Sequence, residues 1–147
     1  VTNPFATQKN TNGAFFKPAE HAADLALMIE PKRVLENQRN EFQGDVTYRD
    51  EIVCDITIFR NSQNLDEGAP FDVLRDAKIT HSALAGEARE HIGTGVPMLV
   101  TVKKATGKNY YVFDFNVPGD RVAAVGAYYI KREAATEAAT ADAPGFD

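Results

Sequence analysis

Apolar and polar positions alternate most cleanly in EIVCDITIFR (residues 51–60), where Ile52, Cys54, Ile56 and Ile58 fall on one side and Val53, Asp55, Thr57 and Phe59 on the other. A period of two predicts a strand with the first set turned inward, which leaves Phe59 as an outward aromatic ring. Upstream, LALMIEPKRVLENQRNEF (25–42) has the length of a long bent strand, and Pro31 demands an edge position or a bulge because it donates no ladder hydrogen bond. Gly44 and Asp45 are turn residues between the two. NSQNLDEGAP reads as a surface loop, and FDVLRDAKIT resumes an extended pattern. Ser82 then caps a short helix, ALAGEAREHI, whose Leu84, Ala88 and Ile92 share a face and whose stop is Gly93. MLVTVKK and NYYVFDFNV follow as two antiparallel strands joined through ATGK, where Gly107 suits a tight turn. Pro118, Gly119 and Asp120 open a helix from Arg121 to about Glu133, with Val122, Val125, Tyr129 and Ile130 as its apolar stripe.

The resulting order, three strands, a helix and two strands, is that of an OB barrel: a mainly β, five-stranded fold with a short helix plugging one end between strands three and four. The C-terminal helix is expected to dock on it. The chain divides into an N-terminal arm (1–14), an OB-fold-like domain (15–132) and an acidic tail (133–147) expected to be disordered, because EAATEAATADAPGFD carries almost no large apolar group, with continuation of the preceding helix into its start left open. At 147 residues one core suffices, and it buries roughly two thirds of the unfolded surface without disulfide or metal. No apolar run has the length of a membrane span. VTNPFATQKN shows no apolar stretch or small-residue cleavage site, so the expectation is a cytoplasmic location. The single cysteine, Cys54, lies in an apolar run and reads as a small buried side chain.

Net charge is −5, which opposes binding to a polyanion, but Glu133, Glu137, Asp142 and Asp147 place four of those negative charges in the tail and leave the body nearly neutral. Signals for catalysis are poor. His21, His81 and His91 lack metal-ligand spacing, and Glu87 and Glu90 read as exposed helix-face charge. Gly93 and Gly95 form GTG ahead of a strand, whereas a dinucleotide fingerprint opens a helix. A non-enzymatic chain with no cofactor and no metal is the expectation.

The binding signal is stronger. Single-stranded nucleic acid needs cations along its phosphates and aromatic faces on which bases stack. Lys103, Lys104 and Lys108 surround the predicted hairpin turn, and alternation along the last strand turns Tyr110 outward while Tyr111, Phe113 and Phe115 form the core set. Tyr48, Arg49, Phe59 and Arg60 sit at the ends of or on the second strand. Lys32, Arg33 and Arg39 lie along the first, where an OB groove recruits ligand contacts.

FFKPAEH, RDEIVCDITIFR, DAKITHSAL and YYVFDFN carry a resemblance to single-stranded DNA-binding proteins of the OB-fold type, similar to those encoded by bacteriophages of actinobacteria, across most of residues 15–132. The resemblance implies largely sequence-independent DNA binding in replication or recombination. It also implies a flexible acidic tail that recruits replication or recombination proteins through its tip, here Asp142, Phe146 and Asp147. The tip ends in Asp and is less acidic than the bacterial pattern. Such a tail competes with DNA for a basic groove. Two other readings stay open: a structural virion protein, decorating a capsid or forming part of a tail, and a peptide-binding OB module. Homo-oligomerisation is open too.

Overall fold

The structure is a computed structural model that describes residues 13–141. A 3-10 turn (Pro18–His21) leads into β1 (Ala26–Phe42), β2 (Asp45–Phe59), α1 (Ser62–Glu67), β3 (Asp72–Ile79), α2 (Ser82–Glu90), β4 (Met98–Lys104), β5 (Tyr111–Asp114) and α3 (Gly119–Ala141). The five strands form one antiparallel sheet in the order β3-β2-β1-β4-β5. The sheet is not closed: among the described residues no ladder joins β3 to β5.

Pro31 sits where its chemistry requires. The β1–β2 register shifts between Pro31 and Arg33, and the pairing of β1 with β4 has already ended at Ile29, so the missing N–H leaves no gap in a ladder. A second irregularity lies between Leu35 and Gln38, where Asn37 takes φ 52° and its N–H donates to Asp50 Oδ1 at 3.0 Å. Beyond it β1 and β2 continue as a two-stranded ribbon closed by Gln43 and Gly44. Both have positive φ, 52° and 85°, as a type I′ turn demands.

The central strands are buried on both faces, and this corrects the reading of β2. Its inward set packs as expected: Ile52, Cys54, Ile56 and Ile58 join Leu27, Ile29, Ile79, Leu84, Val100 and Phe113 in the main core. The opposite face is covered by α3, which closes a second core of Ala26, Met28, Phe59 and Val125. Phe59 is fully buried there and meets Tyr128 edge-on at 5.4 Å. It is a core residue and offers no face to a base. Two anchors hold α3 to the sheet. Arg121 Nη1 donates to the Leu25 carbonyl at 3.0 Å, and Arg132 grips Glu30 through both oxygens at 2.8 and 2.9 Å.

Part of the gap between β3 and β5 is filled by the lead-in, which docks on the free edge of β3. Residues 13–16 run parallel to β3: Lys78 N–H donates to the Ala14 carbonyl, and Phe16 N–H donates back to the Lys78 carbonyl. Phe16 is thereby buried between a stacked His21 ring at 4.9 Å and Phe113 at 6.3 Å. His21 Nδ1 lies 2.8 Å from Asp24 Oδ2, so this histidine is a buried part of the plug.

Three local differences have local causes. The segment expected to be wholly loop contains α1, because Asn61 and Asn64 cap it reciprocally and Gly68 ends it at φ 62°. Ser82 lies inside α2, whose N-cap is His81. Helix α3 runs on to Ala141, past the expected end near Glu133: alanine and glutamate favour helix strongly enough to propagate it from a turn already docked on the sheet. The tail-tip residues Asp142, Phe146 and Asp147, and arm residues 1–12, lie outside the described residues. No helix among the described residues is long and apolar enough to cross a membrane.

Cys54 is fully buried, and burial pushes its thiol up to about 12. It therefore stays protonated through the neutral range. Iodoacetamide at neutral pH is expected to leave the native protein unlabelled and to alkylate it in denaturant, as mass spectrometry would read out.

Candidate nucleic-acid interface

The β4–β5 hairpin turns through residues 105–110. Ala105 N–H donates to the Tyr110 carbonyl at 3.0 Å, Lys108 N–H to the Ala105 carbonyl at 2.9 Å, and Gly107 sits at φ 71°. This tight turn pushes Tyr110 outward, 51% exposed, as alternation predicts. Tyr111 beside it is half-buried, with Lys104 Nζ 5.8 Å from its ring centre. Phe113 is core, but Phe115 is exposed and stacks on His91 at 5.9 Å, so the expected core set holds only in part.

Across from this hairpin, β2 outruns β3. The last β2–β3 pair is Ile52 with Ile79, so Arg49, paired with Gln38 of β1 on one side, has no strand on its β3 side, next to the turn that starts α2. The result is a cleft of about 600 Å³ lined by Arg49, Thr80, His81, Ser82, Ala83, Tyr110 and Tyr111. Arg49 is held by a carboxylate and a ring. Its Nε lies 3.8 Å from Glu51 Oε2, and its guanidinium carbon lies 5.5 Å from the Phe15 ring centre. Lys78 approaches the same ring at 5.4 Å and the same carboxylate at 4.0 Å. Glu51 is buried behind these two cations, so the cleft presents positive charge and not the carboxylate. Buried Arg49 Nε has no hydrogen-bond partner among the described residues.

Of the residues singled out in the sequence, Arg49 and Tyr110 meet in this cleft, and Lys104 borders it through Tyr111. Tyr48 and Arg39 lie directly across from each other on the β1–β2 ribbon, Tyr48 exposed and Arg39 paired with Glu41 at 3.1 Å. Lys108 is exposed in the hairpin turn, and Lys103 pairs with Asp114 at 3.5 Å.

The others are placed elsewhere. Arg60 is neutralised by Asp24 at 2.6 Å and covers the Phe71 ring at 4.0 Å, at the opposite end of β2 from Arg49. Lys32 bridges Asp76 at 2.8 Å and Asp55 at 3.0 Å; the Asp76 hydrogen bond, seconded by Asp55, raises its pKa and reserves its charge for the β2–β3 bulge. Arg33 is exposed on the β1 bulge, away from the cleft. Phe59 is in the second core. The sequence reading missed Tyr111, His81, Ser82 and Phe15. Tyr111 was assigned to the core by alternation alone, and the other three depend on the junction of β3 with α2 and the docked lead-in.

No protein-family model matches the chain, and neither a curated protein nor a solved structure matches it.

Proposed function

We propose that this chain is a non-catalytic, largely sequence-independent single-stranded DNA-binding protein of the kind that serves phage-type replication or recombination. The observation that carries the reading is the convergence of Arg49 and Lys104 with Tyr110 and Tyr111 at one cleft. Cations follow the phosphates, and an exposed tyrosine gives any base a face on which to stack. The strand order β3-β2-β1-β4-β5 supports it further, since it is the order of an OB barrel opened between its third and fifth strands. The cleft lies at that opening, where residues 13–16 fill part of the seam and the tyrosine hairpin borders the rest.

Titration with oligo(dT) tests the proposal. The chain has no tryptophan and five tyrosines, of which two line the cleft, so partial quenching of tyrosine emission reports occupancy. Affinity is expected to fall with salt at a log–log slope of about −0.7 for each phosphate neutralised. Absence of quenching and of binding at low salt rejects the proposal, and a matched RNA oligonucleotide sets the preference between the two nucleic acids.

A further inference from the structure

We propose that two copies of this chain associate through the free edge of β1 at the tip of the β1–β2 ribbon, pairing antiparallel about a two-fold axis at Asn40. The ribbon stands apart from the sheet. β4 pairs with β1 only at residues 27–29, and β3 pairs with β2 only from Ile52 onward, so residues 38–42 have a partner strand on one side alone. Its base is fixed, because Arg89 of α2 holds Asp50 at 2.8 Å and Glu36 at 3.6 Å. An unpaired strand edge is a template for another strand. Phe42 is 69% exposed and Tyr48 65%, more apolar surface than an isolated ribbon needs.

The register follows from the turn. Gln43 and Gly44 form a two-residue loop, which makes Phe42 and Asp45 the closing hydrogen-bonded pair, so the main-chain groups of Arg39 and Glu41 point away from β2. A two-fold axis at Asn40 sets Arg39 of one copy opposite Glu41 of the other, and the reverse. Those outward groups then form the ladder hydrogen bonds. Arg39 and Glu41 share a face of β1, where they already pair at 3.1 Å, and the axis repeats that attraction twice between the copies. Phe42 falls opposite the stem of Gln38. The cleft is left open, because none of residues 38–42 lines it and its ribbon residue, Arg49, stands on β2 and not on the β1 edge used for pairing.

Sedimentation equilibrium of the full chain, with two kinds of variant, decides it. The expected result is a concentration-dependent monomer–dimer equilibrium that Arg39→Glu and Glu41→Arg each weaken by about tenfold or more. The double reversal should restore it to within about threefold, because opposite charges face each other again. Independently, Asn40→Cys places two thiols on the axis at the ~4.5 Å Cα spacing of a non-hydrogen-bonded pair, and mild oxidation is expected to yield a covalent dimer. Cys54 is buried and does not compete. A chain monomeric at all concentrations, or a double reversal that fails to recover, overturns the proposal. So does an Asn40→Cys variant that stays monomeric on oxidation.

Discussion

Phe59→Ala is expected to lower the free energy of unfolding by about 3–5 kcal/mol, the cost of removing a fully buried ring from a packed core. The mechanism is local to the second core. The ring supports Ala26 and Met28 on the sheet and stands edge-on to Tyr128 of α3, so its loss opens a cavity between α3 and the sheet. Urea denaturation measures the loss, and Phe59→Leu, which refills most of the volume, should recover much of it. Oligo(dT) affinity provides the counter-measurement. If Phe59→Leu folds and binds as tightly as the parent, the residue acts through packing. If it folds normally but loses most of its affinity, the assignment of Phe59 to the core alone is wrong.

Tyr110→Ala has the opposite signature. Tyr110 is half exposed at the mouth of the cleft, so its removal should change stability by less than about 0.5 kcal/mol. Stacking of a base on an aromatic ring contributes about 1–3 kcal/mol, so affinity for oligo(dT) should fall by roughly tenfold to a hundredfold. Fluorescence anisotropy of a labelled oligonucleotide reads this directly. Lys131→Ala, on the exposed face of α3 and away from the cleft, is the control expected to bind like the parent. Equal affinity of Tyr110→Ala and the parent removes the tyrosine from the interface and with it the main support for the cleft.

The two residues show what could be read from the sequence and what could not. Tyr110 was legible because its exposure is set within a few positions, by the tight turn at Gly107 and the alternation that follows. The bulge at Pro31 was legible for the same reason, a missing donor that no distant partner restores. Phe59 was not legible, because alternation tells which residues share a face but not whether a helix more than sixty positions later covers that face. The cations fail in the same manner. Arg60 and Lys32 look available in sequence, yet their carboxylates, Asp24 and Asp76, lie 36 and 44 positions away. The two ends were legible in part. Residues 13–14 gain order by docking beside β3, which their local composition does not show, whereas the alanines and glutamates of 133–141 do favour the helix that continues from α3.

The docking of the lead-in on β3 also bears on how the chain reaches its native state. Phe16 finishes a core whose other members, Ala77, Ile79 and Phe113, are synthesised many residues later. A nascent chain therefore holds an exposed phenylalanine until β5 has emerged, and separations of this kind slow the final collapse. Hydrogen exchange followed during refolding should find the amides of Phe16 and Lys78 gaining protection together, as one late cooperative unit.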